Sequence, residues 1–138
     1  VIMQPVIEQA LTDLGITVES VLTGMDWDET QTIIDSGDFD LLMWAQNTLP
    51  AGDPSWFLNA FFRTGGGNNF AGLVSTEVDT LLDELAIAET HPDRVDAAAA
   101  AHAAILAHVP VSNLVTPAWH VGLSDRMTDY KPWGSDCT

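Results

Sequence analysis

Cationic side chains are nearly missing from this 138-residue sequence: four Lys and Arg stand against twenty Asp and Glu, a formal net charge of −16. Lys131 is the one lysine. Nucleic acid and anionic membrane surfaces are thereby excluded as partners, because the electrostatic term that drives such binding is repulsive here. Cysteine is as scarce. Cys137 stands alone, so neither an intrachain disulfide nor a cysteine-based metal site can form. No run of about 18 apolar residues occurs, which leaves no candidate transmembrane helix. There is no signal-peptide pattern either, and the sequence opens at Val1 in the lead-in to a helix, as expected of a piece cut from something longer.

What is present is apolar enough to fold. Hydrophobic residues make up 46% of the chain, which argues against disorder and allows one domain with a core. The acidic excess has two readings, a generic solvated surface or adaptation to salty surroundings. Asp outnumbers Glu 14 to 6, which fits the second without establishing it.

Val6, Ile7, Ala10, Leu11 and Leu14 are spaced for a helix over residues 3–14, closed by Gly15. Residues 16–22, "ITVESVL", alternate as a strand does. Asp26, with Glu29 three positions on, opens a second helix that Gly37 ends. Phe39 to Trp44 is apolar on both sides, as a parallel strand covered by helices would be. The order helix, strand, helix, strand predicts an α/β layer with right-handed crossovers. Further on, Ser55–Phe62 forms a short aromatic helix and residues 63–70 a flexible turn, which lacks the Lys-Ser/Thr pair and preceding strand of a phosphate loop. Thr76 and Asp79 make a capping box for a helix to about Glu89, and Pro92 starts another to about His108. Residues 111–123 hold one or two strands interrupted at Pro117, and the tail 124–138 is irregular.

Catalytic chemistry has little to stand on. His91, His102, His108 and His120 are scattered, and the six-residue step from His102 to His108 turns about 600° around a helix, onto different sides. No Gly-x-Ser-x-Gly elbow occurs, and Cys137 has no neighbouring histidine. Neither an enzyme nor a metal or other cofactor is expected. The best functional candidate is the end of the 39–44 strand and the loop beyond it. Ligands of open α/β sheets bind past the carboxyl ends of strands. There Trp44 offers an apolar wall and Asn47 a paired donor and acceptor. The plain alternative is that Trp44 plugs the core and Asn47 caps a turn. Asp53, followed by Pro54, suits a turn-forming role.

The segments "IEQALTDLGITVESV", "DWDETQTIIDSGDFDLLMWAQNTLPAGDPSWFLNAFF", "NNFAGLVSTEVDTLLDELAIAETHPDRVDAAAAAHAAILAHVPVSNL" and "PAWHVGLSDRMTDYKP" resemble, in that order, the C-terminal lobe of extracellular solute-binding proteins of family 5. These proteins serve peptide and nickel ABC importers. The resemblance implies a periplasmic-binding-protein-like (type II) lobe, a mixed sheet flanked by helices. Residues 1–138 would be one partial domain, incomplete because a second lobe shares the cleft. The implied function is capture of a peptide-like or related small solute outside the cytoplasmic membrane and its delivery to permease subunits, in a periplasmic or extracellular setting. In peptide-binding members the strand ends Trp-x-x-Asp and the acid meets the ligand's α-amino group. The matching run is Trp44-Ala45-Gln46-Asn47, an amide where the acid stands, so a charged bond to ammonium is not available. Gln46 lies in the same run, and the resemblance implies that Trp119 and His120 fall in a segment able to approach the cleft. The second reading is a non-transport relative, a ligand sensor or protein-interaction lobe. An isolated lobe would also uncover apolar surface and self-associate.

Overall fold

Proline in the first turn, where its missing N–H is no loss, starts the first helix of the computed structural model, which describes residues 3–21, 26–50, 52–116, 122, 124–127 and 129. The chain divides into two compact units, Val1–Ala45 and Gln46–Thr138.

The first unit holds α1 (Gln4–Asp13) and α2 (Trp27–Ser36). Gly15 follows α1 at φ 81°, and its N–H donates to Thr12 O at 2.8 Å. The Asp26 carboxylate accepts from the Asp28 and Glu29 amides, both at 3.0 Å, as an N-cap should. Gly37 ends α2 in the left-handed region at φ 65°, where a Cβ would be strained. Neither helix buries a residue fully.

The second unit contains the core. Its helices are α3 (Ser55–Phe62), α4 (Thr76–Ile87) and α5 (His91–Ala107), followed by a 3-10 turn at Asp125–Met127. α3 buries Leu58, Phe61 and Phe62; α4 buries Val78, Leu82 and Leu85; α5 buries Ala101 and Ile105. These positions recur every three or four residues, which puts each set on one helix face. Phe57, Phe61, Phe62 and Phe70 interlock around them, with Phe61 edge-on to Phe70 at 5.8 Å and 85°. The alanines of α5 keep that helix slim where it lies against its neighbours: Ala97, Ala98 and Ala104 pack on the core.

The expected α/β lobe is overturned: among the described residues every regular element is helical, and there is no strand and no sheet. Residues 16–21, 38–47 and 109–116 are irregular instead. The physical reason is that a strand is not a local structure. Its N–H and C=O groups must be met by a neighbouring strand. Within 39–44 the apolar pattern is present, but no backbone–backbone ladder forms on it. Leu41 is left 70% exposed, Val109 77% and Val115 64%. Residue 22 and, from the expected 111–123 strands, residues 117–121 and 123 lie outside the described residues.

Two smaller corrections concern the turn before α4. Its cap is Ser75, whose hydroxyl accepts from the Val78 amide at 3.3 Å, one residue earlier than the expected Thr76. Asp79 instead accepts from the Thr64 amide at 2.9 Å. The turn at 63–70 is held by its own bonds rather than loose. Asn69 Nδ2 donates to Arg63 O and Leu73 O at 3.1 and 2.7 Å, while Asn69 Oδ1 accepts from Leu73 N at 2.9 Å. Gly66 sits so close to the end of α3 that a Cβ there would lie 2.7 Å from the Ala60 and Asn59 carbonyl oxygens.

Candidate functional site

Trp44 closes the irregular stretch of the first unit and is 36% exposed, so it does not plug a core. Its ring meets Trp27 of α2 edge-on, with centroids 5.8 Å apart at 66°. Trp27 is itself 67% exposed, and no sequence motif marks it. Its position beside the Asp26 cap reads as an ordinary helix start, which hides its pairing with Trp44.

Gln46 and Asn47 belong to the second unit and are half-buried. Gln46 Nε2 donates to Asn47 O at 3.1 Å, and Asn47 Oδ1 accepts from the Leu49 amide at 3.0 Å. The second contact is an Asx-type turn, so this oxygen shapes the loop. Trp119 and His120 lie outside the described residues.

A well-organised polar group follows at Asp53. Its Oδ1 accepts from the Ser55 amide at 2.8 Å and from the Ser55 hydroxyl. Its Oδ2 accepts from Arg94 Nε at 2.9 Å and Nη2 at 2.6 Å. Arg94 Nη2 also donates to Ser55 Oγ at 2.9 Å, and Nη1 reaches the Leu85 and Ala88 carbonyls at 3.1 and 3.2 Å. A guanidinium has five N–H donors, and five bonds are made here. Arg94 therefore ties the start of α3 to the end of α4 from the first turn of α5. Nothing of it is left for a ligand.

Arg94 belongs to no motif in the sequence. A signal existed. A cation in the first turn of a helix opposes the helix dipole. In a chain with four cationic residues, one placed there must answer to something outside its own helix.

The Asp53 carboxyl is held down to about 2, first by the Ser55 hydroxyl and then by the Ser55 amide; burial opposes them, and Arg94 adds a smaller lowering. It is ionised at any ordinary pH and is no proton donor. The Thr64 amide likewise lowers Asp79, and the Ser20 hydroxyl lowers Glu8. Beside the ion pair lies a cleft of about 110 Å³ lined by Gly52, Asp53, Pro54, His91, Arg94, Val95 and Ala98. Small-molecule sites usually measure about 300 to 1,000 Å³, so this one is too small for a peptide. No group of three or more His, Cys, Asp or Glu fit to hold a metal occurs among the described residues. None of the described helices is long and apolar enough to cross a membrane.

No family model, no curated protein and no solved structure matches this chain.

Proposed function

We propose that this chain is a ligand-capturing part of an extracellular solute-binding protein that feeds an ABC importer of the peptide and nickel class. What supports the reading is the resemblance of its segments, in order and over more than a hundred residues, to that family. The role rests on that order and takes nothing from a sheet. Trp44 is the residue assigned to solute contact, as an accessible apolar wall. Asn47 stands, on the resemblance, where peptide-binding members carry an acid, and an amide there lacks the charge that makes a bond to ammonium strong. Asp53 and Arg94 shape the loop and do not touch solute. Binding, not catalysis, is the activity: the solute is captured outside the cytoplasmic membrane and delivered to permease subunits.

The test is a thermal-shift screen of the 138-residue chain against millimolar tripeptides and their N-acetylated forms. Weak stabilisation is expected, because one wall of a cleft removes little ligand surface from water. Acetylated and free peptides should act alike, and Trp44→Ala should abolish the shift. A hit indifferent to Trp44, or no shift with any peptide, overturns the proposal.

One observation favours the second reading, a sensor or protein-interaction piece. Val109, Leu114 and Val115 are 77%, 50% and 64% exposed within seven residues, more apolar surface than a small solute needs. Self-association through such surface would appear as dimers in sedimentation, and a strictly monomeric profile at high concentration would remove it.

A further inference from the structure

The negative charge is distributed very unequally with respect to what could neutralise it. Residues 1–45 carry nine carboxylates (Glu8, Asp13, Glu19, Asp26, Asp28, Glu29, Asp35, Asp38 and Asp40) and no Lys, Arg or His. Asp13 ends α1 and Asp35 lies in the last turn of α2, where the helix dipole disfavours an anion. Neither helix has a basic residue in its last turn and neither buries a residue, so little hydrophobic burial opposes the repulsion. The second unit differs on both counts. Among the described residues, all eight that form the buried core lie in it, Leu58 through Ile105. Its Arg94 and Arg63 are paired to Asp53 and Asp83.

We propose that the fold of the Val1–Ala45 unit is conditional on mobile salt cations, whereas the Gln46–Thr138 unit carries part of its own neutralisation. The device is screening and not a site, since the carboxylates form no metal-holding group among the described residues. Like charges on a small unit repel over distances comparable to the Debye length, about 10 Å at 0.1 M salt and about 3 Å at 1 M. Raising the salt concentration therefore removes a repulsion that the unit has no side chain to answer.

Segment-resolved hydrogen exchange on the whole chain tests this, at 0.05 and 1 M KCl, with rates normalised to an unstructured peptide. Protection of α1 and α2 amides should rise about tenfold, while α4 and α5 change less than about threefold. Equal gains in both units overturn the proposal. So does sucrose of matched osmolality reproducing the gain, because exclusion of cosolute and not charge would then be responsible. Full protection by millimolar CaCl₂ at low ionic strength overturns it too, in favour of a discrete cation site. A second arm uses Glu19→Lys with Asp38→Lys, both outside the helices. The pair should give at 0.05 M KCl the α1 and α2 protection that the parent chain shows only at high salt, and unchanged protection refutes the screening account.

Discussion

Replacing Arg94 by alanine removes five hydrogen bonds in one step, three to Asp53 and Ser55 and two to the end of α4. The expected loss lies between two limits. A fully exposed ion pair contributes about 0 to 1 kcal/mol, and breaking a buried one costs about 3 to 5 kcal/mol. The two side chains are 29% and 36% exposed, so Asp53 can regain water, whereas Leu85, whose carbonyl loses its donor, is fully buried. A loss of about 2 kcal/mol follows, near 10 °C in Tm for a unit of this size. Arg94→Lys restores the charge but not the reach to three groups at once, and should recover less than half. A double-mutant cycle with Asp53→Ala should return a coupling of about 1 kcal/mol. Urea denaturation followed by circular dichroism at 222 nm measures all of these. Arg94→Ala within about 0.5 kcal/mol of the parent chain would refute the reasoning, because a fully engaged guanidinium cannot be that dispensable.

The same group gives a pH dependence. Asp53 has a folded value of about 2, below its unfolded value of about 3.9. Its ionised form therefore favours the fold, fully above about pH 4, and this contribution is lost as pH falls towards 2. With the carboxylate 36% exposed, the contribution is about 1 kcal/mol after screening. Arg94→Ala should shrink it only in part, since Ser55 supplies the larger share.

Three further outcomes are expected in the same denaturation assay. Leu82 is fully buried, and Leu82→Ala should cost about 3 kcal/mol through lost burial and the cavity it leaves. Gly66→Ala should destabilise by about 2 kcal/mol, because the new methyl meets two backbone oxygens at 2.7 Å that cannot swing aside. Val109 follows α5 at φ 50°, a left-handed conformation that a β-branched residue adopts only with strain, so Val109→Gly should stabilise by about 0.5 kcal/mol.

The helices were legible because their determinants are local. Asp26, Gly37 and Pro92 each act within a turn of their own position, and the five α-helices among the described residues fall where periodicity and caps place them, within two or three residues. The strands were misread for the opposite reason. Phe39 to Trp44 has strand composition, but pairing is decided by residues far away in the chain, and a short apolar run does not reveal it. Ser75 displaced Thr76 as a cap because adjacent hydroxyls compete and the Thr64 contact already held Asp79. At the candidate loop, sequence found Asp53 as a shaper of the turn but not its partner, since 41 residues separate Asp53 from Arg94.

The eight residues of α3 have a consequence for how the molecule assembles. Two turns of helix are too few to persist alone in water. α4 and α5, by contrast, are 12 and 17 residues joined across residues 88–90, a hairpin whose contacts close over short chain distances. Kinetics should then be ordered: the hairpin collapses early, and the Phe-rich helix condenses onto it afterwards, latched by a guanidinium already waiting at the edge. Substitution of Leu82 should slow refolding, while substitution of Leu58 should mainly hasten unfolding.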